Sequence, residues 1–334
     1  MGSSPPLSPP RGEVLAVAPA IWKVVERHPV LGAVTHKDAD GDTLGSALGL
    51  AQALEPQGKR MPVVSSRPVP GAWWFLPGIE RVNRDPLPEG VPLFVFDSTD
   101  AERTGEHLDA VREAPVVVNV DHHVTNARFG TLNLVVTDAA SAGELVYDLL
   151  KAWQLPVPPA AASCLYASIL SDTGGFRHDN TSERALRAAA ELVAQGADPA
   201  LMARGLFKSR PSSTLRMQAR ILQQTHFEYD DRLVWAAIRL SDLVESGATV
   251  DQADGAIDQL NTVRDQELAI LFKEVSPRLI KVSLRSRDRI DAAALAALFG
   301  GGGHRRAAGM EMAMPLAQAE AEVLAAARAR LSQS

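Results

Sequence analysis

Apolar residues in the first third of the chain fall into short unbroken runs separated by stretches of helical period. The runs VLGAVTH (30–36), MPVVSS (61–66), PLFVFD (92–97) and PVVVNVDHH (115–123) read as strands. Their brevity, valine content and lack of polar alternation fit strands covered on both faces. Between the first two runs, LGSALGLAQALEPQGK has a helical period and stops at Pro56 and Gly58, which completes a β-α-β unit. This pattern predicts an α/β fold, with a doubly wound, mostly parallel sheet in the N-terminal part.

Beyond His123 the pattern turns helical through SAGELVYDLLKAW, PAAASCLYASIL and SERALRAAAELVAQ, the last closed by Gly196. It continues through ALMARGLFKSRPSSTLRMQARILQQ, where the Arg-Pro-Ser-Ser interruption predicts a hinge near Arg210 to Ser213. From about His226 strands return as DRLVWAAIRL, ELAILFKEV and RLIKVSLRS, followed by the helix DAAALAALF, a glycine run and a terminal helix from about Pro315. A chain of 334 residues exceeds one ordinary domain. The expected division is a disordered Pro- and Ser-rich tail (1–12), a first domain (13–205), a helical linker (206–225) and a smaller α/β domain (226–334). No internal repeat has a solenoid period.

Composition narrows the partners. The chain is 46% hydrophobic and 22% charged, as in a soluble globular protein, and no stretch approaches the ~20 apolar residues that cross a bilayer. The N-terminus lacks the apolar core of a secretion signal, so a cytoplasmic address without a membrane partner is expected. A net charge of −6 argues against duplex DNA as a partner. Locally, however, residues 278–306 carry Arg278, Lys281, Arg285, Arg287, Arg289, Arg305 and Arg306 against only Asp288 and Asp291, a segment that attracts an anion. The single cysteine, Cys164, excludes an internal disulfide and reads as a small core residue rather than a catalytic thiol.

Candidate chemistry sits at the ends of the strands. VLGAVTH runs into His36-Lys37-Asp38-Ala39-Asp40-Gly41-Asp42, at the carboxyl edge where open α/β sheets bind ligands. Alone, these acids could equally be solvated loop residues or a helix cap. PLFVFD delivers Asp97 and PVVVNV delivers Asp121-His122-His123 to the same edge, and SDTGGF adds Asp172. Five carboxylates (Asp40, Asp42, Asp97, Asp121, Asp172) cannot share one cleft in ionised form without cations. Four of them, Asp40, Asp42, Asp97 and Asp172, would bring about −4, matched by two divalent ions at about +4. Oxygen-rich ligation with some imidazole suits Mn²⁺ or Mg²⁺ better than a thiol-rich zinc site, with Mn²⁺ preferred.

These motifs resemble the DHH phosphoesterases. HKDADGD resembles the family's first motif, FDSTD the second, VDHH the third and SDTGGF the fourth, while GGGGHRRAAG (300–309) is similar to the signature of the DHH-associated C-terminal domain. Five motifs in order span nearly the whole chain. The resemblance implies that His36 and Asp40 hold one metal, that Asp42, His122 and Asp172 hold the other, and that Asp97 bridges them. It further implies that His123 contacts the substrate phosphate and Asp121 orients the imidazoles. Ala39 stands where many relatives have Pro, which implies a less rigid turn, and Asp38 has no family role. With water activated between two metals, no protein nucleophile is required, so Ser98, Ser141 and Cys164 pack or cap.

In the second domain the resemblance implies a nucleotide cleft lined by Arg285, Ser286, Gly301, Gly302, Gly303, His304 and Arg305, the glycines allowing close backbone approach. Arg177 and His178 are weaker candidates, and Trp73 and Trp74 read as core or as base-stacking rings. Within the family, the length and single trailing domain resemble NrnA-type enzymes. Those degrade short oligoribonucleotides to mononucleotides and convert 3′-phosphoadenosine 5′-phosphate to AMP. Short single-stranded RNA or a small nucleotide is therefore the expected partner. The alternatives are a cyclic or linear dinucleotide, a RecJ-type exonuclease on single-stranded DNA, and a non-catalytic nucleotide-binding module. The oligomeric state stays open, with a homodimer among the options.

Overall fold

The computed structural model describes residues 8–253, 255–287 and 289–332. Its contacts divide into two compact units, Met1–Ser209 and Arg210–Ser334. The first contains α1 (Gly12–Arg27), β1 (Gly32–Val34), α2 (Gly41–Leu54), β2 (Val63–Val64), β3 (Leu93–Phe96), α3 (Leu108–Glu113), β4 (Val117–Asp121) and β5 (Leu132–Val135). It ends with α4 (Ala142–Ala152), α5 (Pro159–Asp172), α6 (Glu183–Ala194) and α7 (Pro199–Lys208). The five strands pair in parallel in the order β2-β1-β3-β4-β5.

Alternate strand residues enter two cores. Ala33, Val63, Phe94, Phe96, Val118 and Val120 face one, whereas Val34, Val64, Leu93, Val95 and Val117 face the other with Val111 of α3. Burial on both faces is why these strands read as unbroken apolar runs. The larger core lies under α2, which is buried along its whole length, together with α4 and α5. Close packing of α2 on α5 needs Gly45, where a Cβ would stand 2.5 Å from the Cys164 carbonyl oxygen.

Three elements of this unit were not anticipated, among them the short α3. β5 arises from TLNLVV, which is short and half polar, and α1 from a helical run interrupted by Pro19. The tail expected over residues 1–12 is partly ordered: Arg11 is 5% exposed and donates to Glu144 (2.7 Å) and Asp148 (3.0 Å) of α4. A buried guanidinium persists only when paired, and this pairing fixes the chain just ahead of α1. Residues 1–7 lie outside the described residues.

The second unit contains α8 (Ser212–Gln223), β6 (His226–Glu228), β7 (Leu233–Ile238), α9 (Leu240–Ser246), α10 (Ala256–Leu260), β8 (Leu268–Ser276) and β9 (Leu279–Ser286). It continues with α11 (Ala292–Ala297), β10 (Gly302–His304), β11 (Ala307–Met312) and α12 (Leu316–Leu331). Its sheet runs β10-β11-β9-β8-β7-β6, with β7 and β8 parallel and the other pairs antiparallel. Leu268, Ile270, Val282 and Leu284 pack beneath α11 and α12, whereas Ala269 and Leu271 pack beneath α8 and α10. Met217 and Ile221 place α8 in this second core, and α7 belongs to the first unit. The stretch 206–225, expected as a helical linker, holds the end of α7 in the first unit and α8 in the second. The glycine run expected near residue 300 forms the β10–β11 hairpin. Among the described residues no helix is long and apolar enough to cross a membrane.

Candidate metal centre

Sheet register builds the site. Val34 pairs with Val95 and Phe96 with Val120, so His36, Asp97 and Asp121 lie in one row across the carboxyl ends of β1, β3 and β4. Asp97 adopts φ +53° immediately after β3, an uncommon conformation for a non-glycine residue. Asp40 caps α2, accepting from the amides of Asp42 (3.0 Å) and Thr43 (3.2 Å). Asp42 stands in the first turn of the same helix, and Asp172 ends α5.

The side chains expected at the metals come together in three overlapping groups. His36, Asp40 and Asp97 form one, Asp42, His122 and Asp172 a second, and Asp97, Asp121, His122 and His123 a third, with potential ligand atoms within 4.8 Å inside each. Asp97 joins them through different oxygens: Oδ2 is 3.3 Å from His36 Nε2, and Oδ1 is 3.5 Å from His122 Nε2. His122 Nε2 also lies 3.6 Å from Asp42 and 3.5 Å from Asp172. His123 Nδ1 stands 2.8 Å from Asp121 Oδ1, and Asp121, fully buried, also accepts from the His122 amide and from Asn126.

The chemistry of this donor set fits divalent cations. Both ring nitrogens of His36, His122 Nε2 and Asp97 Oδ1 are buried without a hydrogen-bond partner. Orphaned buried polar atoms are rare in folded proteins, and an ion accounts for the three that face the cluster, His36 Nε2, His122 Nε2 and Asp97 Oδ1. Burial, reinforced by the charge of Asp97, pushes the Asp42 carboxyl up to about 7, against His122 and Ser168, which lower it. Burial likewise lifts Asp172 well above the carboxylate range. Burial lowers the His36 pKa, but Asp40 and Asp97 outweigh it and raise the ring to about 10. The same balance, with Asp97 the main partner, raises His122. Asp97 itself is held below the usual range by His122 and His36 despite its burial. The shifts have one physical source, carboxylates crowded together out of water, and divalent cations relieve that repulsion directly.

Other candidates divide between the units. Asp38, exposed, pairs with Arg67. Trp73 packs its ring over Gly41, and Trp74 is 61% exposed. His178 Nδ1 is 3.1 Å from the Asp172 carbonyl, and Arg177 donates to Gly174 and lies over Phe207. Ser141 caps α4, and Ser98 is buried against the Phe96 carbonyl. Cys164 is buried, its thiol pushed up to about 12 by burial, which makes it inert.

In the second unit, Arg285 and Ser286 end β9 beside the β10–β11 hairpin. Arg285 pairs in register with Ala307 and forms an ion pair with Asp258, and Ser286 Oγ donates to the Arg305 carbonyl. Gly302, Gly303 and His304 are exposed along β10, with Gly301 just ahead of it. Of the flanking basic segment, Asp288 lies outside the described residues. Residues that sequence reasoning missed are the polar supports: Asn126 on Asp121, Asn180 near Asp172, and Ser46 and Ser168 on Asp42. Isolated Asn and Ser residues carry no motif, so no sequence signal marked them.

Residues 32–169 match the family model "DHH family, N-terminal domain" and residues 232–333 match the "DHHA1 domain". A protein of Thermus thermophilus described as "Bifunctional oligoribonuclease and PAP phosphatase NrnA" is 34% identical over 304 residues, covering 90% of each chain. The chain belongs to the DHH family. As a DHH-family member it is a metal-dependent phosphoesterase. A second relative of the same description, from Bacillus subtilis, is 26% identical over 82% of this chain and 86% of its own length. The fold is shared with an exopolyphosphatase-related protein from Bacteroides fragilis, at a TM-score of 0.88 and 23% identity over 95% of this chain and 96% of that one. The DHH match contains His36 to His123 and stops three residues before Asp172, and the DHHA1 match contains Arg285 to Arg305.

Proposed function

We propose that this chain hydrolyses short oligoribonucleotides to mononucleotides and 3′-phosphoadenosine 5′-phosphate to AMP at a two-metal centre. The observation supporting the two-metal reading is the grouping of His36 with Asp40 and of Asp42 with His122 and Asp172, with Asp97 between them, its Oδ2 3.3 Å from His36 and its Oδ1 3.5 Å from His122. The substrate rests on the two relatives described as oligoribonuclease and PAP phosphatase. Two divalent ions, Mn²⁺ in preference to Mg²⁺, supply Lewis acidity and a water of lowered pKa when bound.

His36 and Asp40 hold one ion, Asp42, His122 and Asp172 the other, and Asp97 both. Asp121 orients His123, which contacts the scissile phosphate. With four carboxylates against two divalent ions the centre is nearly neutral, so a phosphate can approach. Arg285, Ser286, Gly301, Gly302, Gly303, His304 and Arg305 recognise the nucleotide. A cytoplasmic address and single-stranded substrates rather than duplex DNA belong to the same proposal.

The test is hydrolysis by purified protein with Mn²⁺, with and without chelator, of RNAs from two nucleotides upward, 3′-phosphoadenosine 5′-phosphate and cyclic di-AMP. Turnover of dinucleotides and of 3′-phosphoadenosine 5′-phosphate, abolished by chelator, is expected. Faster turnover of cyclic di-AMP than of either would transfer the assignment to a cyclic-dinucleotide phosphodiesterase.

A further inference from the structure

Asp42 is held unlike the other acids of the centre. Its Oδ1 accepts from Ser168 Oγ (2.5 Å), Ser46 Oγ (3.1 Å) and the Gly143 amide (3.2 Å), whereas its Oδ2 accepts from the Ala142 amide alone (2.8 Å). Asp172, by contrast, accepts one long hydrogen bond at its carboxylate among the described residues, from Asn180 (3.4 Å). Each carboxylate oxygen has about two lone pairs, so Oδ1 of Asp42 is saturated by the protein and Oδ2 keeps one direction open. His122 Nε2 lies 3.6 Å from that Oδ2.

The strongest of these donors is constrained to donate. Ser168 Oγ accepts from the Gly143 amide (3.1 Å) and lies 3.0 Å from Ser141 Oγ, which itself accepts from the Glu144 amide (3.1 Å). A carboxylate has no proton to give, so the 2.5 Å contact takes the single hydroxyl proton of Ser168, which then accepts from Ser141 as well as from the Gly143 amide, and the polarity runs Ser141 to Ser168 to Asp42. All three serines are fully buried. Gly143 makes the space: a Cβ there would stand 2.1 Å from Ser168 Oγ.

We propose that Ser168 is a positioning residue of the metal centre, fixing the Asp42 carboxylate so that Oδ1 is committed to the protein and Oδ2 alone serves the ion. This inference rests on the two-metal reading above. Loss of an outer hydrogen bond to a metal ligand costs ~10- to 100-fold in affinity. Ser168→Ala should therefore weaken one of two Mn²⁺ binding events by about tenfold or more and leave the other unchanged, read from the free-ion electron paramagnetic resonance signal. Turnover should recover as Mn²⁺ is raised, shifting the activation curve. In an Asp42→Asn background, Ser168→Ala should change Mn²⁺ affinity no further, because its effect passes through that carboxylate. Ser46→Ala, removing a longer bond, should shift affinity less, and thermal unfolding in chelator verifies that each variant is folded.

Parental Mn²⁺ affinity in Ser168→Ala, or an effect of equal size in the Asp42→Asn background, overturns the inference. A parent chain that binds no Mn²⁺ removes the two-metal reading itself, and this inference with it. Wild-type binding of two ions with an unaffected Ser168→Ala variant defeats only the positioning role.

Discussion

The two units use their sheets in opposite ways. In the first, a parallel sheet buried on both faces lines up its strand ends, and the candidate ligands lie where His36, Asp97 and Asp121 share a row. In the second, a mixed sheet carries an alternating strand, β9, and its candidate residues sit on and beside an exposed edge hairpin. The first arrangement makes a site over-determined by packing: His36 is 3% and Asp42 1% exposed, and each is placed by more than one element. The second leaves a surface whose shape depends on local backbone. Damage to the first unit should abolish chemistry or folding, and damage to the second should be graded and leave Mn²⁺ binding intact.

The largest expected effect tests that contrast at its centre. Asp97→Asn keeps the shape of the one side chain proposed to serve both ions but removes its charge. Hydrolysis of a dinucleotide should fall on the order of 10³-fold, comparable with losing a principal electrostatic contributor to a transition state. The stabilisation that Mn²⁺ gives the parent, about 2.7 kcal/mol at 100 times its Kd, should shrink in the same variant. Kinetics and thermal unfolding with and without Mn²⁺ measure both, and full activity would remove the shared role from Asp97.

Next comes the charge network behind the site. Arg11→Met leaves Glu144 and Asp148 buried without their guanidinium, and breaking such a pair costs ~3–5 kcal/mol. The lower end, about 3 kcal/mol, is expected here because Lys151 and Arg184 also hold Asp148. Denaturant unfolding should show this loss in the first unit, with hydrogen exchange in the second unchanged. Equal loosening of both would mean that the units do not unfold independently.

The same contrast explains what could be read from sequence. Four of five strands in the first unit were legible because burial on both faces makes unbroken apolar runs, and their terminal acids and histidines stood out as ligand types. β5 was not, since Leu132–Val135 is only partly buried and carries Asn133. In the second unit β7, β8 and β9 were legible, but β10 and β11 were hidden within glycine and alanine, which signal a loop as readily as a strand. Arg11 was invisible because its partners lie more than 130 residues away, and Ser168 because a serine in an apolar helix has no pattern of its own.

Graded effects are expected from the hairpin. Gly303 has φ +139°, and a Cβ there would stand 2.5 Å from the Ala307 carbonyl oxygen, whereas one at Gly302 would meet nothing within 4 Å. Gly303→Ala should raise KM for a dinucleotide by about tenfold, equivalent to roughly 1.4 kcal/mol of binding, with Mn²⁺ affinity unchanged. Gly302→Ala should be close to neutral. Equal effects at the two positions would show that backbone conformation is not what the hairpin contributes.

The smallest effect concerns the far edge of the same sheet. Glu228 on β6 accepts from Arg328 (2.9 and 2.8 Å) and from Trp235 (2.9 Å), and the Arg328 hydrogen bonds hold its carboxyl below the usual glutamate range. Because the folded pKa is lower than the unfolded one, Glu228 stabilises the unit above its unfolded value. That contribution declines as pH falls through the ordinary glutamate pKa, ~4.3, and vanishes below the lowered folded value. Arg328 is 42% exposed, so solvent screening limits the gain to under ~1 kcal/mol. Glu228→Gln should therefore be slightly less stable than the parent at pH 7 in urea unfolding of the second unit. The gap should close as the pH is lowered through 4 while Mn²⁺-dependent turnover at neutral pH stays unchanged, and a gap that widens in acid would assign the stabilisation to another group.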